Sequence, residues 1–332
     1  MKDADGVIKI KDSAESHDLE KEGIQLPRIS STLHSFQHQF EPFGKVCRLA
    51  KRWLASHLML EPPFNFKTRW GSPGSSSAFT EESVELLVAS LFLNHSPYPS
   101  PPNEAQTGFL RFLELLAHTD WKITPLIVNF NQGITPEEVF NIERDFAKRR
   151  QVFPALFIAT PQDKQVSYWT RSVHKIILKR VALLADTAFR YLSSQLSSKF
   201  STDEDLRSSL AKVFSSSRDH FDAIVWLNKN RNSKSYQNIH SHPVPQLQFR
   251  KYEKSVDEFI PVVDFDPARL YLEELRENFG HLAMFFHDTY GGNFIAVVWK
   301  PDVLQPKDFS VSCQYLLAGI RTCRSYRKLN LS

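Results

Sequence analysis

FGKVCRLAKRWLASHLML, residues 43–60, carries the first strong periodic signal in the chain. Val46, Leu49, Ala50, Trp53, Leu54 and His57 fall at three- and four-residue spacing, which places them on one face of a helix. Lys45, Arg48 and Arg52 fall roughly opposite. The stretch therefore predicts an amphipathic helix with an apolar inner face and a basic outer stripe. Trp53 belongs to the inner face, so it is expected in the core and not on a surface that could stack on a base.

Downstream the helical signals continue. Pro62-Pro63 and the run Gly71 to Ser77 mark a surface insertion. Thr80 with Glu81 and Glu82 reads as a helix N-cap whose acids face the positive end of the dipole. That helix runs through Leu91 and is broken by the proline-rich Ser96–Pro102. Thr107 to His118 is apolar on most sides, as a central helix of a bundle would be. Leu126 to Phe130 reads as extended. Thr135-Pro136-Glu137-Glu138 opens a helix that closes in Lys148-Arg149-Arg150. Ala155 to Thr160 reads as a buried strand, and His174 to Leu196 as one long helix.

The serine-rich Ser193–Ser217 reads as an interdomain linker, and the character changes beyond it. Ala223 to Leu227 is strand-like, Lys229 to Pro245 is polar, and Phe259 to Val263 is apolar. Asp266-Pro267 caps a helix reaching Phe279, with Gly280 on its C-terminal side. His281–His287 and Phe294–Trp299 form a hairpin through Gly291-Gly292. The expected fold class is α+β: a helical domain over about 31–200, then a small α/β domain over about 205–310. Residues 1–30 read as a disordered lead-in and 311–332 as a basic tail.

Composition supports a folded protein. Of 332 residues, 42% are hydrophobic and 23% charged, with 26 Phe, 9 Tyr and 6 Trp, which excludes wholesale disorder. No apolar run approaches the roughly 20 residues that span a bilayer. The N-terminus lacks a signal-peptide layout, and three cysteines make no disulfide framework, so a soluble intracellular chain is expected. Lys and Arg number 41 against 37 Asp and Glu. Arg321, Arg324, Arg327 and Lys328 account for the whole excess, since no acid follows Val311. The body is electrically balanced, so a basic total says nothing about nucleic acid.

Catalytic patterns are thin. Asp264-Phe265-Asp266 resembles a carboxylate pair that holds Mg²⁺, but Asp266 precedes Pro267 and a helix, so capping explains it. A nucleotidyltransferase site would also need a Gly-Ser turn about ten residues upstream, and none is there. His281 and His287 are about 20 Å apart along a strand, too far for one metal. His240 and His242 have no third ligand nearby. No phosphate loop and no nucleophile motif occurs. No catalytic residue, metal or cofactor is expected. The candidate RNA-binding residues are Lys45, Arg48, Lys51 and Arg52 on the first helix and Lys148, Arg149 and Arg150 at a helix end. Each group also reads as a solvated helix face or a dipole cap.

Four stretches carry a family resemblance: STLHSFQHQFEPFGKVCRLAKRWLASHL (31–58), FLRFLELLAHTDWKITPLIVNFN (109–131), PALFIATPQDKQVSYWT (154–170) and VVDFDPARLYLEELRENFGHLAMFFHDTYGGNFIAVVWKP (262–301). Together they resemble the C-terminal region of the Nrap, or nucleolar protein 6, family. Asp120-Trp121-Lys122, Pro125–Asn129 and Thr160-Pro161-Gln162-Asp163 are its distinctive motifs. The resemblance implies a poly(A)-polymerase/oligoadenylate-synthetase-like helical domain, then the family's terminal α/β domain, both without catalysis. It implies a nucleolar, hence nuclear, component of the small-subunit processome acting on pre-ribosomal RNA. Ribosomal RNA processing protein 7 and casein kinase 2 subunits are the implied protein neighbours, with no membrane. The alternative is an RNA- or nucleotide-gripping accessory to a working nucleotidyltransferase, and a third possibility is a protein-docking module without RNA contact. The resemblance lacks the family's large N-terminal domains, so a fragment, a partial gene model or a short isoform is expected. It stops at about Ser310.

Overall fold

The computed structural model describes residues 19–61, 78–165, 167–170, 173–197, 203–228, 266–288 and 290–300. A wide π turn, Lys21–Gln25, leads into α1 (Leu26–Gln39), whose Ile29, Leu33 and Phe36 are buried. The expected lead-in is thus helical from Lys21 on. Ile29, Leu33 and Phe36 follow the 3-4 period, but so sparse an apolar stripe holds a helix only where a core packs on it. Phe36 sits among Phe40, Phe43, Phe92 and Phe130, with ring centroids 4.7 to 6.2 Å apart.

Helix α2 (Phe43–Ser56) buries Val46, Ala50, Trp53 and Leu54 completely. It stops before the expected Leu60 because Leu58 takes φ 62°, and the Met59 amide then closes back onto the Leu54 carbonyl. Helix α3 (Glu81–Leu93) starts where the sequence indicates, with Thr80 Oγ1 accepting the Ser83 amide. Helix α4 (Ala105–His118) crosses α2 so closely that a Cβ on Gly108 would lie 2.4 Å from Val46 Cγ2.

Two short strands follow, β1 (Leu126–Ile127) and β2 (Ile158–Ala159), paired in parallel with α5 (Pro136–Lys148) between them in sequence. Thr135 and Glu138 form a reciprocal capping box on α5, and the helix packs Ile142 and Phe146 against Phe157. Beyond Ile127 the expected strand turns into a 3-10 segment, Phe130–Gln132, with Asn131 at φ 52°. Helix α6 (Lys175–Ser197) is the long helix that the sequence predicts.

The expected linker contains a helix, α7 (Asp203–Val213). Serine richness masked it, but Leu210 and Val213 pack into the main core and Phe214 stacks 5.5 Å from Phe109. The helical domain therefore extends past residue 200, to the end of α7.

The C-terminal domain is a three-stranded antiparallel sheet, order β3 (Ala223–Trp226), β5 (Phe294–Trp299), β4 (Ala283–His287), with α8 (Pro267–Phe279). Alternation along the strands splits it into two faces. Ala283, Phe285, Ile295 and Val297 pack on Leu272 of α8. Phe286 and Ala296, with Met284, Phe294 and Val298, join the core of the helical domain. Both faces are covered, and one apolar core runs through the two domains.

Asp266 caps α8, its Oδ1 accepting the Ala268 amide, as the capping reading requires. Asp264, His240, His242, Lys229–Pro245, Phe259–Val263 and the basic tail lie outside the described residues. No described helix is long and apolar enough to cross a membrane.

Candidate nucleic-acid interface

The outer stripe of α2 divides into two parts. Lys45 and Arg48 are exposed, and Lys45 pairs with Glu41, at 2.8 Å, one turn away on the same surface. Lys51 and Arg52 turn toward the rest of the molecule. Lys51 Nζ lies 2.7 Å from Glu81 and 2.6 Å from Glu85, with its side chain 14% exposed. Burial pushes its pKa down, but the two carboxylates more than reverse this, so its ammonium stays charged well above the usual lysine range. Glu85 is shifted up by burial, against the pull of Lys51.

Arg52 reaches Asp288 in the C-terminal domain at 3.4 Å. Tyr290 from the same turn donates to Glu81 at 3.4 Å, and burial with that carboxylate raises its phenol to about 12. Arg276 of α8 lies 4.0 Å from Glu61, while Arg180 of α6 lies over the Phe221 ring at 5.0 Å. The inner half of the stripe thus belongs to the electrostatic seam between the domains.

The second basic group also divides. Lys148 and Arg149 are exposed, Arg149 pairing with Asp145 at 3.2 Å. Arg150 turns inward. Nε donates to the Lys122 carbonyl, Nη1 to Phe153 and Pro154, and Nη2 to Trp121 and Ala155, all at 2.9 to 3.1 Å. A guanidinium has five N–H donors, and five carbonyls take them. Arg150 has none left for a phosphate, and it leaves the candidate interface. Spacing alone could not reveal this, because two of the carbonyls, those of Trp121 and Lys122, lie nearly 30 residues earlier in the chain.

The distinctive motifs are internal clasps. Asp163 is buried and accepts the Ser167 and Tyr168 amides, while Ser167 Oγ takes the Ile158 amide and so fastens the loop to β2. Asn129 holds Ile134 through both its amide oxygen and nitrogen at 2.8 Å. Trp121 is buried and donates to the Leu116 carbonyl. Trp53 is wholly buried, as its helix face predicts. His57 Nε2 donates to the Val213 carbonyl at 3.1 Å, and burial holds its pKa below the ordinary histidine value. Among the described residues no group of three or more His, Cys, Asp or Glu is placed to hold a metal ion.

In the sequence Lys122 stands out only as part of a family motif, and Lys175 and Lys179 carry no binding signal. They meet at a cavity of about 550 Å³ between the Trp121 loop and the start of α6. Lys175 and Lys179 share a helix face by their four-residue spacing, which was legible; their approach to Lys122 depends on how α6 packs.

A helical body joined to a small sheet domain is the architecture, and its sequence relationships agree. The profile described as Nrap protein PAP/OAS1-like domain 5 matches residues 40–216, and that described as Nrap protein domain 6 matches 218–326. The chain belongs to the Nrap family. The two matches meet just after α7, where the structure also ends the helical domain, and the second runs to residue 326, past the expected stop at about Ser310. Nucleolar protein 6 from Xenopus laevis is 38% identical over 312 residues, and that from Homo sapiens is 36% identical over 309. Each alignment covers 93% of this chain and 25% of the relative, so the chain spans about a quarter of the length of these relatives. The relationship gives a nucleolar, hence nuclear, localisation.

Proposed function

We propose that this chain acts in nucleolar ribosome biogenesis as a non-catalytic scaffold of the small-subunit processome, holding RNA and protein during processing of pre-ribosomal RNA. The observation that carries the reading is the shared core: Phe286 and Ala296 of the sheet are buried with the helices of the other domain. Lys51, Arg52, Glu81 and Asp288 add an ion-paired seam beside it. Two domains joined this way form a rigid body, suited to presenting surfaces at fixed separation and unsuited to closing over a nucleotide.

On this reading the RNA contacts come from Lys45 and Arg48, with Lys148 and Arg149 as a second cluster. Ribosomal RNA processing protein 7 and casein kinase 2 subunits are proposed as neighbours on the family resemblance alone. The test is incubation of the chain with labelled nucleotide, Mg²⁺ and an RNA primer, beside sedimentation of the tagged chain from nucleolar extract. Co-sedimentation with precursor particles, without nucleotide incorporation, is expected. Primer extension or tight nucleotide binding would replace the scaffold by a nucleotidyltransferase accessory.

A further inference from the structure

The cavity beneath Lys122, Lys175 and Lys179 has no part in the domain seam. Its floor is apolar: Trp121, Phe153, Val173 and Leu178 line it. Its volume, about 550 Å³, falls in the range of roughly 300–1,000 Å³ in which side chains or small ligands are held. Arg150 makes the site preformed, since its five hydrogen bonds tie the 121–122 loop to the 153–155 loop and build one wall.

The rim has two further properties. Exposed aliphatic residues stand next in the chain to lining residues: Ile123 is 73% exposed, Val152 82%, Ile176 53% and Leu183 70%. Ile176 and Leu183 are seven residues apart, on a stripe of α6 beside the face that lines the cavity. The rim is also cationic. Lys122, Lys175 and Lys179 are exposed lysines with no ion pair among the described residues, and exposed His174 lies beside them. Asp120 is the one acid among the lining residues, and its Oδ1 accepts the Lys122 amide. Asp186, farther along α6, is paired with Arg190 at 2.9 Å.

We propose that this groove is a docking site for an acidic protein segment that inserts one or two aliphatic or aromatic side chains between its carboxylates. Charge complementarity selects the acidic background, and the apolar floor with its exposed aliphatic border selects the anchors. RNA fits less well. A single strand is gripped by aromatic faces on which bases stack, and here Trp121 is 7% exposed with its edge tied to a carbonyl. The proposal deepens the scaffold reading and rests on it, by giving that scaffold a kind of protein partner.

The experiment uses the full chain against an array of 15-residue peptides. Leu, Ile or Phe occupies every third or fourth position in a Glu/Asp background. Poly-glutamate, Lys-for-Glu peptides and a 15-nucleotide oligouridylate are the controls. Saturable binding of acidic-apolar peptides is expected, with poly-glutamate at least about tenfold weaker. Lys122→Glu with Lys175→Glu and Lys179→Glu should weaken binding at least about tenfold with an unchanged thermal midpoint, because all three are on the surface. Ala182→Trp, which fills the cavity without changing charge, should do the same. The proposal is overturned if no acidic-apolar peptide binds, or if binding survives the triple charge reversal. It is equally overturned if oligouridylate binds more tightly and loses its grip in the same variant, which would give the groove to RNA. The scaffold reading fails separately, on nucleotide incorporation, whatever the array shows.

Discussion

The lysines and arginines of α2 and those around the α6 groove look alike in the sequence and behave differently in the fold. On α2, Lys51 meets Glu81 and Glu85 from the next helix, and Arg52 meets Asp288 from the other domain. Around the groove, Lys122, Lys175 and Lys179 keep their charge toward solvent above an apolar floor. A basic residue becomes a binding residue only when no acid from a distant part of the chain reaches it first. The inner half of the first region is a joint, and the second is an open surface.

The largest effect expected from breaking this comparison is at Lys51. Lys51→Met leaves two carboxylates without their partner at a position that is mostly buried, and should cost about 3 kcal/mol of stability in urea unfolding. A loss under about 0.5 kcal/mol would mean that the α2–α3 ion pairs are decoration. Arg150→Lys keeps the charge but cannot reproduce the five-donor fork, and about 2 kcal/mol should be lost. Hydrogen exchange should then speed up in both loops that Arg150 ties together. Unchanged protection there would contradict the wall-building role.

A smaller effect depends on pH. Burial depresses the His57 pKa below its ordinary 6.5, so the folded chain refuses a proton that the unfolded chain accepts. Stability should therefore fall as pH drops through about 6.5 toward the folded-state value. His57→Gln, which can keep the bond to Val213, should flatten the change in thermal midpoint between pH 7.5 and 5.5. An equally steep profile in the variant would place the titration elsewhere.

The smallest stability effect is expected on the open half of α2. Lys45→Gln with Arg48→Gln should change stability by no more than about 0.5 kcal/mol. If these residues hold RNA, the same variant should flatten the salt dependence of binding by up to about two phosphate contacts. Retention of the full salt slope would remove them from the interface.

Elements with a local signal were legible in the sequence. The N-caps at Thr80, Thr135 and Asp266, the apolar face of α2 and the hairpin turn at Gly291 all appear where side-chain and backbone chemistry a few residues apart demands them. Helix α7 was missed because its serines imitate a linker and its apolar residues are few; what holds it is the distant Phe109 and the His57 bond to Val213. The candidate RNA site was legible only as a set of positive charges. Of its seven residues, Lys51, Arg52 and Arg150 are engaged inside the fold.

By itself the sequence determined most of the helices and strands and the apolar face of those with a local signal, though neither α1 nor α7, because those preferences act over three or four residues. It also carried the family, through motifs whose residues fasten loops. Only the tertiary structure decided that the sheet is covered on both faces, that one core unites two domains, and which cations stay open to a partner. Those outcomes depend on contacts between residues tens to hundreds of positions apart, and an ion pair such as Arg52 with Asp288 leaves no trace in local spacing.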